Sequence, residues 1–402
     1  MDLAPADRQE LEAALADALD RRAPVEVMSG GSKRALGRPI QVERRLSLEK
    51  LAGIGLYEPE ELVLTAGPAT KLAAIERSLA EHRQQLAFEP PDLGPLYGEA
   101  PASGTLAGAI SCNLGGPRRL ASGAARDHFL GFQAVSGRGE SFKAGGRVVK
   151  NVTGYDLMKL MAGSYGTLAI MTELTIRTVP APEKTRTVLV FGLEDGRAIE
   201  ALTAALHSPN EVNGAAHLPA DVAKDSAVSY VGGAGTSVTA LRIEGFGPSV
   251  EARCQRLRDL LARFGALEEL HGMNSGKLWQ SLRDAAPLAS RPELIVWRLS
   301  VAPSAAPTLL ARIRAGGPAL AWYDWGGGLV WLGLPPGESD GGAARVRAAL
   351  PETGGHATLM RAPASIRAAI PVFQPRPPAL AALEARVKAS FDPVGILNPG
   401  RM

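Results

Sequence analysis

Cysteine is scarce in this sequence: the 402 residues contain only Cys112 and Cys254. The two are far apart and stand in no metal-like spacing, which argues against an iron–sulfur cluster held by this chain. Such low cysteine use is typical of a reducing compartment. Histidine is also rare, and its six positions show no ligand spacing: His82, His128, His207, His217, His271 and His356. We therefore expect no metal site, and we expect each histidine to be a surface or satisfied core residue.

Long apolar runs and basic runs are missing as well. No stretch of about 18 apolar residues occurs, so no segment is expected to span a membrane. Residues 1–24 lack the positive start and apolar middle of a signal peptide, and Leu11, Leu15 and Leu19 instead mark one face of a helix. A net charge of +3 without a basic run argues against nucleic acid as a partner. We expect a cytoplasmic chain that reaches a membrane only through partners.

The rest of the composition is that of an ordinary globular protein, with 46% hydrophobic and 21% charged residues. Because 402 residues exceed the usual size of a single core, two domains are expected.

The stretch from Gly145 to Pro180 is unusually rich in polar and small residues: GGRVVKNVTGYDLMKLMAGSYGTLAIMTELTIRTVP. Residues 147–149 are strand-like, and several hydrogen-bonding side chains then surround a glycine: Asn151, Thr153, Tyr155 and Asp156. A helix is predicted over residues 156–161, and alternation predicts a strand from 168 to 179. Two glycines between them allow backbone to approach another group closely: Gly163 and Gly166.

A glycine-rich loop follows the predicted strand Val25–Met28. It consists of Ser29, Gly30, Gly31, Ser32 and Lys33. Successive amides in such a turn can form an anion-binding concavity, and Lys33 adds positive charge. The alternative is a plain tight turn, since short glycine motifs often have no ligand.

A strand–helix–strand unit is predicted next, from Leu62–Thr65, residues 68–82 and Leu86–Phe88. Small residues then dominate Ala102–Ile110, as they must where backbone packs on a flat ring or a diphosphate. The alternative for this segment is packing of a helix on a sheet. A hairpin is predicted from residues 129–135 and 140–143.

Charged residues concentrate in the loop between Gly115 and Gly131. For Arg126 and Asp127 a structural ion pair is the expected role. Arg118 and Arg119 are candidates for facing an anionic ligand or a partner protein.

From about residue 181 the pattern changes to strands and helices in two strand–helix–strand sets. The predicted segments are Val188–Phe191, Asp195–Leu206, Val212–Leu218, Val238–Glu244, Ser249–Phe264, Ile295–Val301, Ala306–Ile313, Leu320–Tyr323, Leu329–Leu334 and Gly341–Leu350. They fit a ferredoxin-like antiparallel cap. An aromatic group within it is expected to be cap core: Trp322, Tyr323, Trp325 and Trp331.

Three motifs together resemble a known family. They are GGRVVKNVTGYDLMKLMAGSYGTLAIMTELT from Gly145, GPRRLASGAARDHFLG from Gly116 to Gly131, and FDPVGILNPGRM from Phe391 to Met402. The chain resembles the FAD-binding family shared by vanillyl-alcohol oxidase and p-cresol methylhydroxylase (PCMH), and within it the GlcE branch of the glycolate oxidase subunits.

The resemblance implies an α+β fold in three parts. Residues 1–180 would form a PCMH-type FAD-binding domain of two α+β subdomains, and 181–377 a ferredoxin-like cap. Residues 378–402 would form a helix and tail that return to the FAD domain. The implied FAD contacts are Ser29, Gly30, Gly31, Ser32, Lys33, Gly104, Thr105, Gly108, Ala109, Gly123, Arg126, Asp127, Gly166, Ile170 and Asn398.

Two departures from the family's motifs bear on chemistry. The glycine loop has no histidine, so the resemblance implies FAD without a covalent link, with Cys112 as the alternative tether. The cap also lacks the histidine-rich motif, similar to GHxGDGNxH, that binds a metal and supplies a base in catalytic 2-hydroxyacid dehydrogenases of this kind. The comparable region, residues 322–331, leaves only Tyr323 or Asp324 as poorer bases, so catalytic residues are not assigned.

The resemblance therefore implies an FAD-binding subunit that works beside a catalytic FAD subunit and an iron–sulfur subunit on a small 2-hydroxy acid such as glycolate. Such a complex would reach the inner membrane peripherally. Two alternatives stay open. One is a self-sufficient FAD-dependent 2-hydroxyacid dehydrogenase, in which Arg298 or Arg361 grips the carboxylate. The other is a scaffold subunit that has lost its flavin.

Overall fold

The computed structural model describes residues 2–147, 154–352 and 354–401. The predicted strand residues Val148 and Val149 and the polar Asn151 and Thr153 lie outside the described residues.

Ten strands and five α-helices are described up to residue 180. The strands are β1 (Asp2–Leu3), β2 (Val25–Met28), β3 (Arg44–Ser47), β4 (Ile54–Glu58), β5 (Val63–Ala66), β6 (Gln84–Gln85), β7 (Phe129–Ser136), β8 (Ser141–Gly145), β9 (Ala169–Arg177) and β10 (Val179–Pro180). The helices are α1 (Arg8–Asp20), α2 (Leu72–Glu81), α3 (Leu106–Ser111), α4 (Arg119–Ser122) and α5 (Leu157–Met161).

The chain start forms a small parallel sheet in the order β1-β3-β2, covered by α1. Asp7 caps α1 by accepting a hydrogen bond from the amide of Glu10. Leu11 and Leu15 of α1 are fully buried against β2 and β3, as their spacing predicts. Ile396 and Leu397 join this same core, and Leu397 forms an isolated parallel bridge with Val25. The end of the chain therefore completes the first sheet.

A second sheet is antiparallel, with the order β4-β5-β9-β7-β8. Alternate apolar residues of β7 and β9 face a core shared with α2 and α3, including Phe132, Leu174 and Ile176. The hairpin predicted over residues 129–143 is confirmed as β7 and β8. This sheet and the small parallel sheet lie on either side of the glycine loop.

The predicted strand–helix–strand unit is wrong in its last strand. Residues 86–88 are irregular, and the strand is β6, which pairs with β10 in a separate two-stranded sheet. Helix α2 begins at Leu72 rather than at Pro68 because the Thr70 hydroxyl binds the carbonyl oxygens of Gly67 and Gly53, which holds the preceding turn out of the helix.

Eight strands and nine α-helices are described from residue 181 to 352 and from 354 to 377. The strands are β11 (Lys184–Phe191), β12 (Gly214–Leu218), β13 (Val238–Gly245), β14 (Leu267–His271), β15 (Ile295–Ser300), β16 (Leu320–Asp324), β17 (Leu329–Leu334) and β18 (His356–Arg361). The helices are α6 (Asp195–Leu206), α7 (Ala220–Ala223), α8 (Ser229–Gly232), α9 (Gly247–Leu261), α10 (Gly272–Arg283), α11 (Ala286–Ala289), α12 (Ala306–Ala315), α13 (Ala343–Ala349) and α14 (Ala364–Ala369). Helix α15 (Pro378–Phe391) follows.

The eight strands form one antiparallel sheet in the order β14-β11-β13-β12-β16-β17-β15-β18. The sheet has two halves of four consecutive strands, β11–β14 and β15–β18. When the strands of each half are numbered 1 to 4 along the chain, both halves have the order 4-1-3-2 from the outer edge to the centre. This is the order of a ferredoxin-like unit, so the predicted cap architecture is confirmed. The two second strands, β12 and β16, meet at the centre, where His217 pairs with Tyr323. The halves are therefore joined edge to edge as a duplicated unit.

The two faces of this sheet have different partners. Helices α6, α9, α12 and α13 cover one face, which includes Tyr323. The other face carries Trp322 and Trp331, and it packs against Leu36, Leu93 and Leu96 of the N-terminal part. Trp322, Tyr323, Trp325 and Trp331 are each at most 8% exposed, so the prediction that they belong to the cap core is confirmed.

Four buried charges tie the cap to the N-terminal part. The Glu89 carboxylate accepts two hydrogen bonds from Arg242, at 2.8 and 2.9 Å, and one at 2.6 Å from the amide of Arg118. The Arg118 guanidinium donates to both oxygens of Glu244, at 2.9 and 3.0 Å. Arg118 is thus held within this cluster, and the expectation that it faces a ligand or a partner is wrong. We call Glu89, Arg118, Arg242 and Glu244 the cap lock.

Candidate functional site: a groove leading into a cleft

A groove runs along the glycine loop between the two N-terminal sheets. Ten of the fifteen predicted contact residues line it: Ser29, Gly30, Gly31, Ser32, Lys33, Thr105, Gly108, Gly166, Ile170 and Asn398. A second hollow continues from Met28–Gly31 past Ser47, Gly53 and Lys71. At its other end the groove reaches Cys112 and Tyr165, which also line a cleft beneath the cap sheet. The three spaces form one extended path.

Five consecutive backbone amides of the loop are free to bind a ligand. The N–H groups of residues 29–33 donate to no atom of the described residues. Ser32 is buried and the other four residues are half-buried. Amides shielded from water are costly to leave unpaired, so a run of five is well suited to a ligand that supplies acceptors. Lys33 is also without an ion-pair partner in the described chain, and its ammonium donates only to the Ser32 hydroxyl, at 3.1 Å. Burial lowers the pKa of Lys33.

The loop keeps this shape because glycine is required at two positions, at Gly31 by the backbone conformation and at Gly30 by close packing. Gly31 has φ +74°, a left-handed conformation that side chains disfavour. A Cβ on Gly30 would lie 2.6 Å from the Thr105 methyl carbon and 2.8 Å from the Ser103 carbonyl oxygen, so the loop packs directly on that segment. The hydroxyls of Ser29 and Thr105 are 2.7 Å apart and link the two segments. The alternative of simple helix-on-sheet packing therefore does not account for Thr105.

Residues near the chain end close the groove. The Asn398 amide oxygen accepts a hydrogen bond from the Val27 amide at 2.8 Å, and its nitrogen donates to the Tyr165 carbonyl at 2.9 Å. Arg401 donates to the carbonyls of Arg34 and Leu36. Asn398 is therefore a clamp between the loop strand and the 163–167 turn. The resemblance implied that the tail returns to this domain, but it did not single out Arg401, whose contacts with the loop are visible only in the fold.

Five predicted contact residues do not line the groove. Gly104 and Ala109 flank lining residues, but Ala109 faces the core of the second sheet. Asp127 accepts a hydrogen bond from the Ala124 amide at 2.8 Å, and Arg126 lies 3.8 Å from it in an exposed ion pair, as expected. A Cβ on Gly123 would lie 2.9 Å from the Asp127 carboxylate, so this glycine serves the same local turn. Gly123, Arg126 and Asp127 form a structural turn outside the groove.

The cleft beneath the cap sheet brings polar groups from both parts of the chain together. The cap contributes Arg298, Ser300, His356 and Thr358, and the N-terminal part contributes Arg38, Cys112, Asn113, Arg119 and Tyr165. Sequence reasoning missed His356, which the structure places at the cleft although it lies far from the histidine motif's position. The sequence held no local signal for it, because its position follows from the register in which His356 pairs with Ser300 and Thr358 with Arg298.

The two arginines considered for carboxylate binding, Arg298 and Arg361, have different surroundings in the structure. Arg361 donates its N–H groups to backbone carbonyls, including those of Leu96 and Leu294, so it is a structural residue. Arg298 lines the cleft and donates to no described residue. Burial, with Arg119 nearby, lowers the pKa of Arg298 to about 10.

The two residues considered as bases have other roles. The Tyr323 hydroxyl donates to Asp195 at 2.7 Å on the helix-covered face of the sheet, away from the cleft. Asp324 is 2% exposed and accepts a hydrogen bond from the Trp325 amide at 2.6 Å. Burial raises the pKa of Asp324 to about 7.

Comparisons with known proteins show the family to which the chain belongs. Residues 2–145 match the model of an FAD binding domain. Glycolate oxidase subunit GlcE of Escherichia coli (strain K12) is 33% identical over 387 residues, which are 96% of this chain and 94% of that protein. The chain belongs to the GlcE family. It is thus a member of a family of FAD-binding oxidoreductases.

More distant relatives share mainly part of the chain. Glycolate oxidase subunit GlcD of Bacillus subtilis (strain 168) is 30% identical over 54% of this chain and 43% of that protein, and D-lactate dehydrogenase of Archaeoglobus fulgidus is 33% identical over 44% and 38%. Among solved structures, p-cresol methylhydroxylase with substrate bound aligns with a TM-score of 0.73 over 100% of this chain and 88% of that one, at 16% identity. A 4-ethylphenol oxidase from Gulosibacter chungangensis gives a TM-score of 0.72 with the same coverage and identity. These likenesses show the PCMH-type fold.

The groove of this GlcE-family chain fits FAD on its own geometry. A dinucleotide needs hydrogen-bond donors for its diphosphate near the middle of a long site. The free amides of residues 29–33 lie where the groove meets the second hollow. FAD supplies a two-electron acceptor. When FAD is bound, the residues that line the groove would hold it.

Proposed function

We propose that this chain is the GlcE-type FAD-binding component of a complex that oxidises glycolate, a small 2-hydroxy acid, to glyoxylate. Partner proteins, one with its own FAD and one with iron–sulfur clusters, would receive or deliver the electrons. The observation that carries the proposal is the run of five free amides in a groove of a GlcE-family chain. Any membrane contact would then be made by the complex.

We also propose which residues hold the cofactor. The diphosphate would lie on Ser29–Lys33, with Thr105 and Gly108 beside it. Gly166, Ile170 and Asn398 would line the part of the groove that leads to the cleft. A division at residues 180 and 377 remains our proposal for the domains, with 378–402 returning to the first.

The decisive test is coexpression with candidate partner proteins. A tagged form of this chain should copurify with a second flavoprotein and an iron–sulfur protein, and glycolate should reduce an artificial acceptor only in the assembled sample. Purification of this chain alone, with full glycolate turnover, would reject the accessory role.

One observation favours the second candidate, a self-sufficient 2-hydroxyacid dehydrogenase. His356 and Arg298 occupy the same cleft at the end of the groove. An imidazole is the commonest general base, although His356 has no orienting partner among the described residues. The scaffold alternative is disfavoured because free amides without a ligand are costly.

We expect the isolated chain to bind FAD but to be reduced slowly by glycolate or D-lactate. A well-positioned base contributes typically ~10²- to 10⁴-fold to such a step, and the described lining of the cleft includes neither a metal-binding cluster nor a hydrogen-bonded imidazole. Anaerobic stopped-flow absorbance measures the rate of flavin bleaching. Rapid bleaching would favour the self-sufficient enzyme, and His356→Asn would then be the first variant to test, ahead of Tyr323→Phe and Asp324→Asn.

We expect the FAD to be bound without a covalent link. No histidine is among the described residues that line the groove. Burial raises the pKa of Cys112, the candidate tether, which keeps it a thiol rather than a nucleophilic thiolate. Acid precipitation should release all yellow colour into the supernatant. Cys112→Ser is the control: colour that stays in the wild-type pellet but leaves the variant's pellet would identify a cysteinyl link.

A further inference from the structure

The cleft beneath the cap sheet is strongly cationic. Its lining includes Arg38, Arg119, Arg298 and Arg376, against a single carboxylate, Glu384, which is paired with Arg376 at 3.3 Å. A space with three further arginines and no free carboxylate in its described lining is suited to an anion.

Arg298 and Arg119 differ from the other enclosed arginines of the described chain. Arg118 and Arg242 are neutralised by Glu89 and Glu244, while Arg361, Arg367 and Arg401 donate to backbone carbonyls. Neither Arg298 nor Arg119 has a hydrogen bond or ion pair from its side chain to any described residue. Both side chains are half-buried, so their charges are partly shielded from water without an acceptor from the described protein.

Trp325 holds both groups in place. The guanidinium carbons of Arg119 and Arg298 each lie 4.8 Å from the centre of the same Trp325 ring. That ring is fixed, because the indole N–H donates to the Gly116 carbonyl at 3.1 Å and Asp324 accepts from the backbone amide. Stacking on an aromatic face leaves the N–H edges of a guanidinium available for a planar anion.

Polar side chains next to Arg298 would contact the rest of such a ligand. Arg298 and Ser300 on β15 pair with Thr358 and His356 on β18, so all four lie on one face of the sheet. The Arg298–Thr358 pair and the Ser300–His356 pair are about 7 Å apart along the strands, a distance that a small organic acid can span. Val296 and Met360, the neighbouring residues of these two strands on the same face, are apolar. The cap lock residues Arg242 and Glu244 lie elsewhere on this face, on β13.

We propose that the cleft binds a small carboxylate that carries a second oxygen on the adjoining carbon, with Arg119 and Arg298 gripping the carboxylate against Trp325. Ser300, Thr358 and His356 face the second oxygen. The inference builds on the proposed function, since it places this ligand at the end of the cofactor groove, where Tyr165 lines both spaces. It assigns binding, and it holds whether or not this chain performs the oxidation itself.

Calorimetric titration of the purified, FAD-loaded chain with oxalate tests this site. Oxalate has the two adjoining oxygen-bearing carbons and no C–H bond to oxidise, so binding is measured apart from activity. One molecule should bind per chain, and Arg298→Gln or Arg119→Gln should weaken binding about tenfold or more, since each removes a charged hydrogen-bonding partner. Arg298→Lys should recover only part of the affinity, because it keeps the charge but loses the planar fork. Arg312→Gln, at an exposed arginine outside the cleft, should bind like the wild type.

Flavin absorbance and thermal unfolding of the same samples separate the possible failures. Absence of oxalate binding in a chain that holds FAD would overturn the inference and leave the proposed function standing. Failure to hold FAD at all would reject the proposed function. Equal weakening in Arg312→Gln, or tighter binding of inorganic phosphate than of oxalate, would show a nonspecific or phosphate-binding surface and overturn the carboxylate assignment.

Discussion

Replacing Gly31 with valine should remove nearly all bound flavin while the protein stays folded. Gly31 has φ +74°, where a β-branched residue is strained by about 1–2 kcal/mol, and relaxing that strain must rotate the neighbouring amides away from the groove. Those amides are the donors that we propose for the diphosphate. Flavin content per chain, from the ratio of absorbance at 450 and 280 nm, measures the effect.

Gly235→Val is the matched control. Gly235 has a similar φ of +65°, open space around its Cα, and no contact with the groove, so it carries the same backbone strain without the cofactor effect. Gly30→Val should also lose flavin, for a different reason, since its side chain would collide with Thr105 and Ser103. Full flavin occupancy in both loop variants would return the loop to the plain-turn interpretation.

Replacing Glu89 with glutamine should destabilise the protein by about 3–5 kcal/mol, the usual cost of breaking a buried charge pair. Arg242 is 2% exposed and donates two hydrogen bonds to Glu89, so the substitution leaves its charge without that partner. Urea unfolding followed by circular dichroism measures the loss. Glu60→Gln, at an exposed carboxylate, is the control and should change the free energy of unfolding little.

The same carboxylate gives the cap lock a pH dependence. Burial would raise the pKa of Glu89, but Arg242 and Arg118 outweigh it and lower the pKa from 4.5 to about 2. Its stabilising contribution is therefore complete above pH 4.5 and is lost as the pH falls towards 2. Glu89→Gln should show a flatter dependence of stability on pH across that interval. Equal acid sensitivity of variant and wild type would contradict this role.

Local patterns were enough to predict most of the fold. The helix over Asp195–Leu206 and the strand over Leu329–Leu334 have the predicted bounds. The helix shows a helical apolar period, and the strand is a short continuous apolar run between Gly328 and Pro335. The strand expected at residues 86–88 failed because Leu86 and Phe88 fill the core from an irregular segment. Apolar content shows burial there, whereas backbone pairing depends on β10, which lies almost a hundred residues away.

The groove was easier to predict than the cleft for a physical reason. The free amides of residues 29–33 belong to one short segment, so its composition is informative. Arg298 and Arg361 are both cap arginines, and nothing local says that one donates to carbonyls while the other stacks on Trp325. His356 was set aside because its neighbours in sequence carry no motif, whereas its neighbour in the sheet is Ser300.

The bridge between Val25 and Leu397 closes a loop of several hundred residues that contains the entire cap. Closing so long a loop from an unfolded chain is entropically expensive, and a folded cap shortens the effective loop to the distance between its two ends. A folded cap therefore lowers the cost of returning the tail and seating Asn398 against the loop strand. We expect a change that destabilises the cap to lower the affinity for flavin without altering any residue of the groove.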